Sequence, residues 1–147
     1  MTEQGLILPA SGSDYPAVVE LLVAQQLPFE DIDVSLDHFM IVKQNDHLIA
    51  VGAIELHQPY ALLRSVATHP HHRGKKLATR LIHQLLAEAK GNGVKSVFLL
   101  TTTAREFFLN QGFSEIDRNS CPAEIASSTE FQSICPSSAI LMQKEIL

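Results

Sequence analysis

Apolar and polar residues along the chain switch between a period of two and a period of three to four, which predicts strands alternating with helices. The clearest helical pattern ends at Gly91 and Gly93, where glycine can terminate a helix. The strand with the strongest signal is the apolar run from Val94 to Leu100, bounded by glycine before and threonines after. The apolar positions of the helix recur at one face: Leu77, Leu81, Ile82, Leu85, Leu86 and Ala89.

The first half of the chain predicts a short strand at residues 6–8 and a helix from about Tyr15, capped by Ser13 or Asp14. Residues 27–39 are acidic and interrupted by proline, and their apolar spacing predicts a loop with a short second helix.

Two hairpins follow in the pattern. Residues 39–43 and 48–56 alternate around Asn45-Asp46, a pair typical of two-residue hairpin turns. Gln58-Pro59 then turns the chain into a strand from Tyr60 to Ala67.

The second half predicts a helix within AREFFLNQGF, preceded by Thr103 and closed by Gly112 in the left-handed conformation. A strand at residues 113–117, a short helix at 122–131 and a last strand at 139–146 complete the order. Because helices and strands alternate without repeats or long linkers, we expect one α/β domain with a mixed sheet across residues 1–147.

Composition and charge narrow the range of partners and locations that we expect for the protein. The net charge is −5, and the only basic cluster is the short run Arg73 to Lys76, so a nucleic-acid partner is not expected. No apolar stretch reaches membrane-spanning length, and the N-terminus lacks a secretion signal. We therefore expect a cytoplasmic protein with no membrane partner, in which Cys121 and Cys135 are reduced.

The candidate chemistry lies between Ala61 and Thr79, where a buried strand, a polar loop and a helix start follow one another. Arg73, Gly74, Lys75 and Lys76 fall where the free N–H groups of a helix start favour an anion.

The same loop carries three histidines. His69, His71 and His72 have no cysteine or carboxylate beside them, so a solvated loop is favoured over a metal site.

The stretches LLRSVATHPHHRGKKLATRL and AREFFLNQGF, together with the order of elements, resemble the GNAT superfamily of N-acetyltransferases. In that superfamily the pattern Arg or Gln, two residues, Gly, one residue, then Gly or Ala holds the pyrophosphate of acetyl-coenzyme A (acetyl-CoA). Arg73 and Ala78 fit, whereas Lys76 replaces the usual glycine. We expect Lys76 to lie within the first helical turn, where no positive φ is needed. The cofactor-binding residues implied are Val66, Ala67, Arg73, Gly74, Lys75, Lys76, Leu77, Ala78, Thr79, Phe107 and Phe108.

The resemblance implies acetyl transfer from acetyl-CoA to an amine by direct attack in a ternary complex, without a metal. A bulge in the strand at residues 60–67 would free a backbone N–H for the thioester oxygen, and Ser65, Val66 and Ala67 are the expected stretch. Glu55 is the candidate general base that takes a proton from the amine.

Glu55 and Arg64 should be neighbours if Gln58-Pro59 is a two-residue turn. Two interpretations of Arg64 remain open. It can face the cleft and bind a substrate carboxylate or an arsenic oxyanion through its fork of donors, or it can form a structural ion pair with Glu55.

The usual acid for the departing thiolate is a tyrosine in the superfamily, and Phe108 stands at its position. Thr101 and Thr102 are the candidate substrate-side hydrogen-bond donors. Thr103 is interpreted as a helix cap.

A finer resemblance, which includes the tail EFQSICPSSAILM, is to the GNAT branch found with arsenic-resistance genes. The substrate of that branch does not follow from this resemblance. The leading hypothesis is an acceptor that is a small amine or an amino-acid-like compound, with an arsenic-containing one included. The alternative function is a catalytically weak CoA-binding or regulatory module. One form of it would sense a metalloid through the soft thiolates of Cys121 and Cys135. For these two cysteines, however, buried free thiols are the favoured interpretation. Edge strands near the C-terminus make a homodimer a candidate.

Overall fold

A computed structural model describes residues 6–128, residue 131 and residues 139–146. The strands are β1 (Leu6–Pro9), β2 (Phe39–Gln44), β3 (His47–His57), β4 (Tyr60–Thr68), β5 (Ser96–Thr101), β6 (Ser114–Glu115) and β7 (Ile140–Glu145). The helices are α1 (Tyr15–Ala24), α2 (Leu77–Gly91), α3 (Arg105–Asn110) and α4 (Ala123–Ala126).

The seven strands form one sheet in the order β1-β2-β3-β4-β5-β7-β6. β4 and β5 run parallel, pairing residues 60–62 with 96–98, whereas β1 with β2, β2 with β3, β5 with β7 and β6 with β7 run antiparallel. The predicted α/β fold with a mixed sheet is therefore confirmed.

Contacts divide the chain into two compact units: Met1–Ile54 with Ser65–Leu85, and Glu55–Arg64 with Leu86–Leu147. In the first unit, Val18 and Leu22 of α1 share a buried cluster with Ile41 and Val51 of the β2–β3 hairpin. A Cβ at Gly52 would come within 2.9 Å of Leu85 Cδ1, so the absent side chain lets α2 lie close against β3. In the second unit the core cluster consists of Leu62, Phe98, Ile125 and Leu141.

The β2–β3 hairpin follows the prediction. Gln44 pairs with His47, and the two turn residues between them, Asn45 and Asp46, have φ values of 53° and 66°. Asn and Asp tolerate this left-handed conformation, which matches the twist of the flanking strands.

The predicted second helix in residues 27–39 is wrong. This segment consists of turns, and Leu36 and His38 have φ values of 55° and 63°, which a right-handed helix does not allow. Its apolar residues instead anchor an irregular loop on the core of the first unit, with Ile32 and Leu36 buried there. The helical spacing of these apolar residues therefore reflects where the loop packs on the core and does not indicate a helix.

As predicted, α1 begins at Tyr15 with Asp14 at its cap position, but the Asp14 side chain makes no capping hydrogen bond to the helix. Asp14 Oδ2 accepts a hydrogen bond from the Ser11 N–H at 2.9 Å and closes a short 3-10 turn over Gly12–Asp14. Its other oxygen, Oδ1, lies 2.9 Å from Lys43 Nζ on β2. The carboxylate thus joins the helix entry to the sheet.

The C-terminal elements are shorter than expected. The predicted strand at residues 113–117 is reduced to Ser114–Glu115. Within the predicted helix at 122–131, α4 spans Ala123–Ala126, and residues 129 and 130 lie outside the described residues. β7 lies within the predicted strand at residues 139–146. Cys135 and most of the tail lie outside the described residues.

We predict that Asp14→Asn lowers the free energy of unfolding at neutral pH by about 1–2 kcal/mol, because two charge-assisted contacts are weakened. The Ser11 N–H bond, followed by Lys43, lowers the pKa of Asp14 against the raising effect of burial. The stabilisation is therefore complete above the unfolded-state pKa and lost as pH falls through the folded-state pKa.

Urea denaturation at several pH values measures this, with Asp46→Asn in the exposed hairpin turn as the matched control. Equal stability of Asp14→Asn and the control at neutral pH would contradict the assignment.

Candidate functional site

The middle of β4 carries a backbone irregularity at Ser65. This buried residue has a φ of 61°, which interrupts the extended strand. A left-handed residue within a strand is consistent with the predicted bulge, which directs peptide groups out of the regular ladder. Val66, half-buried, and Ala67, buried, complete the strand segment that the sequence selected. Their role toward a thioester remains a prediction.

The loop after β4 turns twice into the left-handed region before α2 begins. Gly74 has a φ of 86° and Lys76 a φ of 60°, and the helix starts at Leu77. The Arg80 N–H donates to the Lys76 carbonyl oxygen at 3.0 Å, so Lys76 lies at the helix entry.

The expectation that Lys76 needs no positive φ is therefore wrong. Glycine adopts this conformation freely, whereas a residue with a Cβ is strained there by roughly 1–2 kcal/mol. Lysine in the place of the usual glycine therefore adopts the same left-handed turn, but the backbone of Lys76 is strained there.

The cationic side chains of the loop have specific neighbours. The Arg73 guanidinium donates to the side-chain carbonyl of Gln25, which follows α1. Lys75 Nζ lies 3.2 Å from His72 Nδ1. Partial burial, followed by the positive charge of Lys75, lowers the pKa of His72. Arg73, Lys75 and Lys76 are exposed, so their charges face solvent.

The rings of the three loop histidines contact one another. His69 packs edge-on against His71 and His72, with ring centroids 5.1 Å and 5.8 Å apart. His69 Nδ1 also accepts a hydrogen bond from the His71 N–H at 3.2 Å, which holds the short turn. In the described ranges no three His, Cys, Asp or Glu side chains come together to hold a metal ion.

Together these features are consistent with the predicted anion site at the start of α2, which stays a prediction. The N–H groups in the first turn of a helix have no partner within the helix, and the helix dipole places partial positive charge there. Left-handed residues at Gly74 and Lys76 are of the kind that turn successive N–H groups into an anion-binding concavity. The segment from Leu77 to Thr79 supplies that first turn.

The second unit holds a cluster of three polar side chains. Arg64 Nη1 lies 3.2 Å from Glu55 Oε1, so the predicted contact between the two residues is confirmed. His57 Nε2 lies 3.0 Å from Glu55 Oε2. The Arg64 side chain is only 5% exposed, whereas that of Glu55 is 34% exposed. The ion pair offsets the cost of burying the guanidinium on an apolar strand.

The three threonines at the end of β5 differ from the prediction in which of them supports the start of α3. Thr101 is buried, and its Oγ1 accepts a hydrogen bond from the Ala104 N–H at 3.0 Å, at the residue that precedes α3. Ala104 occupies the cap position of α3, so the assignment of Thr103 as the cap is wrong. Thr102 is exposed. Substrate contacts by Thr101 and Thr102 remain a prediction.

Phe108 belongs to the core of the second unit. It is buried, and its ring packs edge-on against Phe107 and Phe113 with centroids 5.0 Å and 5.9 Å apart. Because phenylalanine has no ionisable group, it supplies no proton at this position. Cofactor contacts by Phe107 and Phe108 remain a prediction.

Two contacts of the candidate site residues were not predicted from the sequence, namely those of His57 with Glu55 and of Gln25 with Arg73. His57 could have been found, because residues two apart on a strand share a face and Glu55 was already singled out. Gln25 could not, because it precedes Arg73 by many residues and meets it only through the fold.

Cys121 is a half-buried free thiol whose pKa is raised by burial. Since Cys135 lies outside the described residues, the pairing that a metalloid sensor would need stays untested. The described helices include none that is long and apolar enough to cross a bilayer.

Comparison with known families identifies the class of protein. The sequence model of the acetyltransferase (GNAT) family matches residues 11–113, most of the chain. The chain belongs to the acetyltransferase (GNAT) family, and the predicted superfamily resemblance is confirmed.

Relatives and solved structures agree with this assignment. The amino-acid acetyltransferase of Escherichia coli K12 is 27% identical over 95 residues, which are 63% of this chain but 21% of that protein. The chain thus spans about a fifth of the length of this curated relative.

Two crystal structures share the fold. Rv2747 from Mycobacterium tuberculosis, in complex with CoA, has a TM-score of 0.80 at 22% identity, with 97% of this chain and 99% of that one covered. N-acetylglutamate synthase from Neisseria gonorrhoeae, complexed with coenzyme A and N-acetyl-glutamate, has a TM-score of 0.84 at 17% identity, with 100% of this chain and 36% of that one covered.

We predict that Lys76→Gly raises the free energy of unfolding by about 1 kcal/mol relative to Lys76→Gln, because only glycine relieves the left-handed strain. Both variants remove the charge, so their difference isolates the backbone. Urea denaturation measures this difference in the free energy of unfolding. The control is the same pair of substitutions, Lys75→Gly and Lys75→Gln, at a residue whose φ is not positive. A Lys76→Gly variant no more stable than Lys76→Gln would show that the backbone there is unstrained.

Proposed function

We propose that this protein is an acetyl-CoA-dependent N-acetyltransferase that acts on the amine of a small amino-acid-like compound. The observation that carries the proposal is the loop at residues 73–76, whose left-handed Gly74 and Lys76 lead directly into α2. Its backbone and charges suit the pyrophosphate of CoA, which is a dianion.

The residues present fit that group. Apart from the two chain neighbours of Gly74, no heavy atom of the described residues lies within 4 Å of where a Cβ on Gly74 would be, so an anion has room to approach the backbone there. Arg73 and Lys75 add exposed positive charge at the same turn. The proposed cofactor-binding set is the one predicted from the sequence, namely residues 66–67, 73–79 and 107–108.

Acetyl-CoA supplies the thioester. The backbone N–H groups of residues 65–67 are proposed to donate to its carbonyl oxygen as negative charge develops, which the left-handed Ser65 favours by breaking the regular strand. The thiolate that leaves belongs to a thiol with an ordinary pKa of about 8.5, so it departs without a strong acid. The lack of a hydroxyl at Phe108 is therefore tolerable.

Free amino acids and their close analogues are the proposed acceptors. The names of the relatives, an amino-acid acetyltransferase and an N-acetylglutamate synthase, support this class. Within it, the resemblance of the sequence to the arsenic-resistance branch favours an arsenic-containing amino acid as a finer alternative. Arg64 is proposed to act through Glu55, because its guanidinium is buried and already paired with that carboxylate.

The second candidate is a weakly catalytic CoA-binding or regulatory module. Two observations favour it, namely the strained Lys76 in the place of the usual glycine and the buried Phe108 in the place of the usual tyrosine. A homodimer and a cytoplasmic location also remain proposals from the sequence.

Calorimetric titration with acetyl-CoA, followed by thiol release with a panel of amines, separates these candidates. The panel contains L-glutamate, other free amino acids, polyamines and an arsenical amino acid. Turnover with an amino acid supports the enzyme, and tight binding without turnover across the panel supports the module. Absence of binding would contradict both.

We predict that Arg73→Ala raises the Kd for CoA roughly 10- to 100-fold, because a charge-assisted contact with phosphate is lost. The matched control is Lys90→Ala, which removes an exposed charge from the last turn of α2, at the other end of the helix that follows Arg73. The difference should shrink at high salt, because screening weakens the contribution of the charge. Equal affinities of the two variants would exclude Arg73 from the cofactor site.

A further inference from the structure

The side chain of Arg73 is held by a residue from a distant part of the chain. Its Nη2 donates a hydrogen bond to Oε1 of Gln25, the residue that directly follows α1. Arginine has only donors, so the amide of Gln25 must turn its oxygen, and not its nitrogen, toward the guanidinium. Both residues belong to the first unit, as do Gly74 and Lys76 of the same loop. The contact therefore joins the loop before α2 to the end of α1.

The backbone that carries Gln25 is fixed at the end of α1. The Gln26 N–H donates to the Val23 carbonyl oxygen at 3.0 Å, and Gln26 is left-handed, with a φ of 61°. The Leu27 N–H donates to the Leu22 carbonyl oxygen at 2.9 Å, and Leu27 packs against the core cluster that contains Leu22. This pair of bonds is a Schellman motif, which satisfies the last carbonyl groups of a helix. Gln25 thus extends its side chain from a fixed backbone.

The end of α1 also favours a cation. The last carbonyl groups of a helix place partial negative charge there, which a basic side chain offsets. No basic residue of α1 lies in its own last turn, and Arg73 brings a positive charge to this end from the loop. The hydrogen bond and the helix dipole therefore favour the same position of the guanidinium.

The partner of Arg73 is neutral, which matters for binding an anion. A carboxamide accepts a hydrogen bond without cancelling the positive charge of the guanidinium, whereas a carboxylate would form an ion pair and compete with phosphate. Nη2 carries two N–H groups, and a single acceptor uses only one of them. A pair of parallel N–H groups consequently remains for a bidentate contact with phosphate.

The second cation of the loop has a neutral partner of the same kind. Lys75 Nζ lies 3.2 Å from His72 Nδ1. Because an ammonium group has only donors, Nδ1 must accept, and this imidazole is neutral. The two cations that flank Gly74 are thus both held by neutral acceptors within the first unit. Both keep their positive charge at the turn where phosphate is proposed to bind.

We propose that Gln25 is a positioning residue that holds the Arg73 guanidinium ready for the CoA pyrophosphate without cancelling its charge. An arginine without such a partner loses side-chain freedom when phosphate binds, and this loss weakens binding. The contact with Gln25 restricts the side chain before the cofactor arrives. This inference rests on the proposed function and adds to the cofactor site a residue from outside its loop.

Calorimetric titration of the full chain with CoA tests the proposal. We expect Gln25→Ala to raise the Kd for CoA roughly 3- to 10-fold, the effect of one side chain that is no longer preorganised. In a protein that already carries Arg73→Ala, adding Gln25→Ala should change the Kd no further, because the group that Gln25 holds is gone. An equal effect in both backgrounds would overturn the inference. So would unchanged or tighter binding by Gln25→Ala alone, since the contact would then be purely structural or would have to break for CoA.

Gln25→Glu tests the need for a neutral partner. The variant nearly keeps the shape of the side chain but pairs a negative charge with Arg73, so it should raise the Kd for CoA more than Gln25→Ala does. The difference should shrink at high salt. Gln26→Glu is the control, because it adds the same charge one residue further along the chain, and it should raise the Kd less. Equal effects of the two glutamates would contradict a specific contact between residue 25 and Arg73.

The Nε–H signal of Arg73 in a nitrogen-15 NMR spectrum gives a measurement that does not depend on the cofactor. A guanidinium that is held exchanges its protons slowly, so we expect a sharp signal that Gln25→Ala broadens and Gln26→Glu retains. A signal unaffected by Gln25→Ala would overturn the inference. Failure of the proposed function is seen separately, as absence of CoA binding by the wild-type protein, and it would remove this role of Gln25 even where the Arg73 signal behaves as expected.

Discussion

A guanidinium buried on an apolar strand constrains the second unit. Arg64 follows two leucines on β4 and has almost no exposed side-chain surface. An unpaired charge in that place would cost several kcal/mol, so a carboxylate must lie beside it. Glu55 meets that need, and its remaining oxygen then holds His57. A requirement of stability thereby creates an ordered chain of three polar groups, Arg64, Glu55 and His57.

The first unit depends on a different constraint, the sharp passage from β4 into α2. The chain must leave an extended strand and present the unpaired N–H groups of a helix start, and it does so with left-handed residues at Gly74 and Lys76. The same geometry that exposes these N–H groups makes them available to an anion. Backbone strain at Lys76 therefore lies where the proposed cofactor phosphates would bind, a common place for strain in proteins.

Several helices, turns and contacts of the fold could be predicted from the sequence, because residues close together in the chain determine them. The apolar face of α2, the Asn45-Asp46 turn and the left-handed Gly112 all follow from residues close together in the chain. The contact between Glu55 and Arg64 also followed, since a two-residue turn fixes which residues of a hairpin are neighbours.

Other features depend on tertiary contacts and could not be predicted. Leu27, Phe29, Ile32 and Leu36 have helical spacing, yet they pack as anchors of a loop whose backbone is left-handed at Leu36. The positive φ of Lys76 contradicts its own intrinsic preference, and only the surrounding turn can impose it. Gln25 meets Arg73 through the fold alone, so no local signal could have shown that contact.

The proposed function requires above all that CoA binds to the backbone at the start of α2. Backbone amide chemical shifts followed by NMR during a titration with CoA test it most directly. We expect saturable shifts of the amides in residues 74–79, with the amides of Asn45 and Asp46 in the hairpin turn unchanged. Saturable shifts elsewhere in the chain, with the amides of residues 74–79 unmoved, would contradict it.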